Sequence, residues 1–286
     1  MRIDGFADLH LHTTHSDGQH APKAVIDKCA STGLRAVSIV DHDDVSAISE
    51  ATRCGENVGI EVIPGVELSV TWEGYDLHVL GYCIDHENAD LINYLNIFKK
   101  ARIERARQIV EKLGALGVTI PFEAVQHLAG PGTIGRPHIA QVLVENGLVK
   151  SFHDAFDRFI GDGKPANVLK YKIDLENALK LIRSAGGVSV VAHPGLQLDI
   201  REIEKLTQAG IDGIEVIHPA HDDDRVQLYR KLAYDHNLLE TGGSDFHGGI
   251  KGDSVLGKHR IPYDWVTRVK ALADEIKTGS ESLYDH

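Results

Sequence analysis

Residues 8–12, Asp-Leu-His-Leu-His, set two imidazoles two positions apart near the start of a 286-residue chain. In a strand, residues i and i+2 share a face, so His10 and His12 project together while Leu9 and Leu11 enter packing. Two imidazoles on one face make a chelating pair, and Asp17 follows in the polar run "TTHSDG". Donors of the same kind recur where apolar runs end: His42 in "VDHDD", Glu67 in "GVELSV", His78 in "DLHVLGY", His193 in "VVAHPG", and Asp245 with His247 in "SDFHG". Six histidines and three carboxylates exceed what one tetrahedral zinc needs. A mixed imidazole and carboxylate set suits a cluster of two to three divalent ions, manganese, iron or zinc.

Such donors need a scaffold that gathers strand ends. Apolar runs at 6–12, 35–40, 60–70, 75–84 and 188–194 read as strands, as do "IDGIEVIHP" and "LLETGGSDFH". Helical patterns separate most of them, at 21–33, 46–57, 174–187, "REIEKLTQAG" and "DRVQLYRKLAYDHN". Alternation of this kind implies parallel βαβ units, and so many of them predict an α/β barrel whose carboxyl-terminal strand ends converge on one mouth. The rhythm breaks between about 87 and 170, where Ile103, Ala106, Val110 and Leu113 line one helix face. The expected organisation is a barrel domain of 1–98 and 166–286, with a small all-helical insertion at 99–165 capping the mouth.

Composition narrows the partners. A net charge of −12 and a pI near 5.7 argue against a broad basic surface, so no DNA duplex is expected. There is no run of 18 apolar residues, and "MRIDGFADLH" lacks the apolar core of a signal peptide, so no membrane is expected. Cys29, Cys54 and Cys83 are dispersed, which fits reduced thiols in a cytoplasmic protein.

Taken in order, "DLHLHTTHSDG", "VDHDD", "GVELS", "HVLGY", "AHPG" and "GGSDFHG" resemble the successive motifs of the polymerase and histidinol phosphatase (PHP) domain superfamily, over about 1–95 and 165–255. The resemblance implies a distorted (β/α)7 barrel, the PHP fold, with a trinuclear metal site. It would place one ion on His10, His12, Glu67 and Asp245. Glu67 would bridge to a second, held also by His78 and His193, and Asp17, His42 and His247 would hold the third. "GRPHIAQVLVENG" and "FDRFIGDGKPANV" resemble the helical insertion of a stand-alone bacterial branch that hydrolyses nucleoside 3′,5′-bisphosphates, some members trimming short RNA from the 5′ end.

The expected activity is therefore that of a metal-dependent phosphoesterase removing the 3′-phosphate of a nucleoside 3′,5′-bisphosphate. Bound ions would act as Lewis acids and supply a hydroxide for in-line attack on phosphorus. They would also outweigh the three carboxylate ligands, which reconciles an acidic chain with an anionic substrate. Alternatives are a 5′-3′ exoribonuclease on short oligoribonucleotides, a histidinol-phosphate or sugar-phosphate phosphatase, and a non-catalytic metal-binding module. Arg136 is the candidate for a second phosphate, through its guanidinium fork, with His138 beside it. His218 and His221 follow a strand end and are candidates for the scissile phosphate or leaving group, as is Lys170. The arginines at 102, 105 and 107 read as a solvated helix face. "GDSVLGKH" at 252–259 lacks the Ser or Thr and the following helix of a phosphate-cradling loop.

Overall fold

The structure is a computed structural model and describes residues 5–130, 132–196, 198–249 and 255–281, so three positions of the 252–259 stretch lie outside it. Its strands are β1 (Phe6–Leu11), β2 (Ala36–Ile39), β3 (Glu61–Trp72), β4 (Tyr75–Tyr82), β5 (Ile173–Asp174), β6 (Val188–Val191), β7 (Gly213–Ile217), β8 (Leu239–Gly242) and β9 (Ile261–Pro262). They join in one sheet in the order β8-β7-β6-β4-β3-β2-β1-β9, with β5 paired to β3. Residues just beyond β8 nearly close it into a barrel: the His12 N–H donates to Phe246 O (2.9 Å) and the Phe246 N–H to His10 O (3.2 Å). Gly243 makes this approach possible, because a Cβ there would stand 2.5 Å from His10 N and Cβ.

Buried central strands read as continuous apolar runs because both faces are covered. α1 (Pro22–Ser31) and α2 (Ile48–Val58) cover one side, and α7 (Leu175–Ser184), α8 (Ile200–Gln208), α9 (Asp223–Asp235) and α10 (Tyr263–Glu281) cover the rest. None of the helices among the described residues is long and apolar enough to cross a membrane. All three cysteines are free thiols.

The expectation of parallel units fails at one strand. β4 runs antiparallel to both β3 and β6. The cause is local: Glu73 and Gly74 both have left-handed φ, 46° and 88°, the geometry of a two-residue hairpin turn matched to strand twist. No crossover helix separates β3 from β4, so β4 returns beside it. Its early residue His78, opposite Ser69, thereby reaches the mouth that the other strands reach with their ends.

The helical part comprises α3 (Ala89–Ala115), α4 (Phe122–Ala129), α5 (Arg136–Glu145) and α6 (Phe152–Ala155), the last continuing as a π-helical turn over Phe156–Ile160. α3 is shared. Leu91, Leu95 and Phe98 pack with β3 and β4, whereas Ala106, Ile109 and Leu113 pack with α4 and α5.

The solvated face expected for the arginines is corrected here. Arg102 and Arg105 are only 7% and 9% exposed, and Arg107 alone lies outside, over the Phe122 ring. Arg102 pairs with Asp43, its Nε donating to Oδ2 (3.1 Å), and Asp43 also accepts from the Ser69 N–H (2.8 Å) and hydroxyl (2.7 Å). Burial opposes the Asp43 charge, yet Arg102 and Lys170 hold its carboxyl at about 2. A buried ion pair therefore ties the helical part to the strand end beside His42. Asp43 has φ 51°, which Asn tolerates, so Asp43→Asn removes the charge without forcing the backbone. It should leave Arg102 buried and unpaired and cost about 3–5 kcal/mol in urea unfolding of metal-free protein. A loss below about 1 kcal/mol would mean that the pair behaves like a surface one.

Candidate metal centre

Glu67 sits inside β3, bridged to His42 beyond the end of β2, and is fully buried. Its Oε2 lies 3.3 Å from His10 Nε2, 3.2 Å from His12 Nε2 and 3.2 Å from His42 Nδ1. Its Oε1 lies 2.8 Å from His78 Nδ1 and 3.2 Å from His193 Nε2. A single carboxylate therefore faces five imidazoles brought by β1, β2, β4 and β6. Asp245 adds a second bridge, with Oδ1 3.3 Å from both His10 Nε2 and His12 Nε2. Asp17 Oδ1 is 3.2 Å from His247 Nε2 and 3.9 Å from His42 Nε2.

The structure thus brings all nine donors to one mouth. Three sets lie tightly enough to hold an ion: His12, Asp17, His42 and His247; His10, His12 and Glu67; and His42, Glu67 and His78. These sets overlap. His12 and His42 each belong to two, a sharing that the motif order does not suggest.

The donors fit divalent cations on two grounds. His12 Nε2, Asp17 Oδ1, His42 Nδ1 and His78 Nδ1 are buried and satisfy no hydrogen bond although each approaches an oppositely disposed donor atom. Orphaned polar atoms converging on shared points are expected where a cation completes them. The protonation states report the same demand for positive charge: burial opposes protonation of His10, His193 and His247, yet neighbouring carboxylates raise all three above the usual imidazole range. Burial holds His42 and His78 below the usual imidazole range, which leaves them neutral ligands. Burial disfavours charge on Glu67 and Asp245 too, but the surrounding imidazoles keep both carboxyls well below their usual range. Burial likewise opposes protonation of His12, yet Asp245 and Glu67 push it up to about 10, a measure of how strongly this pocket calls for positive charge.

Four acidic residues that support the donors escape a reading based on donors alone. Glu215 in β7 is fully buried; its Oε1 lies 2.9 Å from His10 Nδ1, and its Oε2 accepts from the His193 N–H at 2.7 Å. It orients one imidazole and anchors the loop of another. Asp8 accepts from the Ser244 N–H (2.9 Å) and so fixes the loop carrying Asp245. Burial raises its pKa to about 6. Asp41 takes the Thr13 N–H (2.7 Å), the Thr13 hydroxyl (2.6 Å) and the Ser16 hydroxyl (2.6 Å), fixing the loop carrying Asp17. Asp43 is the fourth. For Asp8 and Glu215 the available signal was a carboxylate inside an apolar strand, costly unless paired.

The candidates for substrate separate into two places. A cavity of about 190 Å³ next to Asp17 and His42 is lined by Arg102, Arg105, Arg136 and Lys170. Its cations are crowded. Burial and the nearby Arg102 pull the Lys170 ammonium down to about 8, and burial with Arg136 and Arg102 pulls Arg105 down to about 10. Arg136 donates to Asp162 Oδ1 (2.6 Å) and to Ile160 O (3.2 Å). His138 does not join it: its Nδ1 accepts the Gly135 N–H at the start of α5 (3.0 Å), and its ring lines a different cavity. His218 lies with Nε2 3.3 Å from Asp245 Oδ2 while its Nδ1 accepts the Ala220 N–H (3.0 Å), so it braces a donor. His221, expected near the scissile phosphate or leaving group, is engaged at both nitrogens, 3.0 Å from Val216 O and accepting the Gly195 N–H at 3.2 Å.

Comparison with known proteins agrees with this geometry. The PHP domain family matches residues 8–159. The chain is similar to a 3′,5′-nucleoside bisphosphate phosphatase from Chromobacterium violaceum, 35% identical over 256 residues, 87% of this chain and 90% of that one. It is also similar to a 5′-3′ exoribonuclease from Haemophilus influenzae, 34% identical over 245 residues, 84% of this chain and 89% of that one. A solved structure from Bifidobacterium adolescentis, of a proposed metal-dependent phosphoesterase, superposes with a TM-score of 0.86 at 29% identity, over 93% of this chain and 96% of that one.

Two variants test the centre. Glu215→Gln should weaken metal affinity by about 10–100-fold in a chelator titration, because it removes an orienting partner and leaves every donor in place. Wild-type affinity would strip Glu215 of that role. Asp245 has φ 50°, so Asp245→Asn is a cleaner probe than alanine. It should abolish turnover while the thermal unfolding midpoint of metal-free protein holds or rises, and full turnover would remove Asp245 from the centre.

Proposed function

The chain belongs to the PHP domain family and is a metal-dependent phosphoester hydrolase, and from that premise we propose that it removes the 3′-phosphate from nucleoside 3′,5′-bisphosphates. The observation that carries this reading is the cationic cavity of Arg102, Arg105, Arg136 and Lys170, which adjoins the donor cluster at Asp17 and His42. A substrate with two phosphates uses both places. One phosphate meets the cluster, and the other enters the cavity and relieves the crowding of its cations.

On this reading His10, His12, Glu67 and Asp245 hold one ion, Glu67, His78 and His193 a second, and Asp17, His42 and His247 a third. Two to three divalent ions, manganese, iron or zinc, would supply Lewis-acid activation of a water and of the phosphoryl oxygens when bound. The chain's own residues position the rest. Glu215 keeps His10 Nε2 turned to the cluster by engaging Nδ1. Arg136 offers a planar fork to the non-reacting phosphate, in competition with Asp162. Lys170, whose ammonium is pulled down to about 8, is driven toward its charged form as the anion arrives.

The second reading, trimming of short RNA from its 5′ end, is supported by the exoribonuclease relative. It also fits the exposed Leu169 and Tyr171, the chain neighbours of Lys170, as surfaces for a following nucleotide.

The test is kcat/KM of manganese-loaded protein on adenosine 3′,5′-bisphosphate and on a 5′-phosphorylated RNA pentamer. The expected preference for the bisphosphate is tenfold or more, about 1.4 kcal/mol of discrimination. Preference for the pentamer would install the second reading, and activity on neither would point to sugar phosphates. Arg136→Ala should depress kcat/KM on the bisphosphate far more than on a simple monophosphate. Equal losses would take the second phosphate away from Arg136.

A further inference from the structure

A second cavity, of about 270 Å³, opens at the same aspartate. It shares Asp17 and Pro137 with the cationic one, so the start of α5 divides two chambers that both adjoin the donor cluster. Their chemistry differs. The walls of this one include Gln19, Leu128, His138, Gln141 and Phe152, and none of its lining residues is a lysine or arginine. His138 is an acceptor for the Gly135 N–H, and burial lowers its pKa, so it adds no positive charge. A phosphate finds no cationic side chain among the lining residues there. A flat, uncharged group needs none.

Building on the bisphosphate reading, we propose that this cavity seats the nucleobase, stacked against Phe152 with the amides of Gln19 and Gln141 at its polar edge. Phe152 and Leu128 are 37% and 40% exposed, large apolar side chains left uncovered beside the centre. An aromatic face accepts any base, because every base has a π-face to stack. The two amides supply both donor and acceptor atoms, as a heterocycle's edge requires. The Gln141 amide is held by Glu145 Oε1 one turn on (2.6 Å), which orients it before a ligand arrives. The floor is stiff: a Cβ on Gly18 would stand 2.6–2.8 Å from backbone atoms of His12 and Thr13, and the Thr133 N–H ties this loop to the helical part through His15 O (2.8 Å). The three parts of a nucleoside bisphosphate thus have three seats: the cluster for the reacting phosphate, the cationic chamber for the other, and the uncharged chamber for the base.

The experiment is calorimetric titration of manganese-loaded protein with adenosine 5′-monophosphate and with ribose 5-phosphate, which differ only in the base. Wild-type protein should bind the nucleotide at least tenfold more tightly. Phe152→Ala should erase most of that ratio and Gln141→Ala part of it, with thermal melts confirming that each variant is folded. Equal affinities in the wild type would overturn the seat, as would a ratio that survives both substitutions. Hydrolysis of adenosine 3′,5′-bisphosphate is followed alongside. A tenfold ratio without turnover rejects the bisphosphate reading and keeps the base seat. Turnover with no ratio rejects the seat alone.

Discussion

Five imidazoles around one buried carboxylate constrain everything else in the molecule. Glu67 is fully buried and is held ionised by His10, His12, His42, His78 and His193. Bringing these side chains within about 3 Å requires four strands to end, or begin, at one level. A barrel does this because its parallel strands finish together. The antiparallel β4 is the exception that shows the rule, since its hairpin with β3 delivers His78 from a strand's beginning.

Such a cluster costs free energy to assemble without its cations, and the surrounding residues share that cost. Asp8, Asp41, Asp43 and Glu215 are buried and each is bonded to a loop, strand or ring that carries a donor. Backbone strain is present at the same places: Asp43, His193 and Asp245, three of the six non-glycine residues with positive φ among the described residues, take left-handed φ. Strained non-glycine positions persist where neighbours over-determine them, and here they aim side chains into the mouth.

Charge is then sorted around the cluster. The acidic chain carries its compensating cations in one chamber, where Arg102 also couples α3 to Asp43, and leaves the neighbouring chamber uncharged. One buried arginine therefore serves both architecture and electrostatics. The helical part is a wall of the site, joined to the barrel through a continuous α3.

The convergence of nine imidazole and carboxylate side chains was legible from the chain alone, because such residues at the ends of apolar runs stand out against packing and carry a spacing that a strand converts into direction. The barrel was legible for a similar reason: alternating strand and helix periods allow few topologies. What spacing cannot express is the third dimension of charge. Arg102 and Arg105 sit among Lys99, Lys100 and Arg107 in a run that looks solvated, and only the packing of α3 over the mouth buries them. His221 looked available at its strand end, and only the positions of Val216 O and Gly195 N consume it. Which residues could bind was local information. Which of them remain free to do so, and on which side of Asp17, depended on contacts such as Arg102 with Asp43, 59 residues apart, and His221 with Gly195, 26 apart, and those are made only when the chain folds.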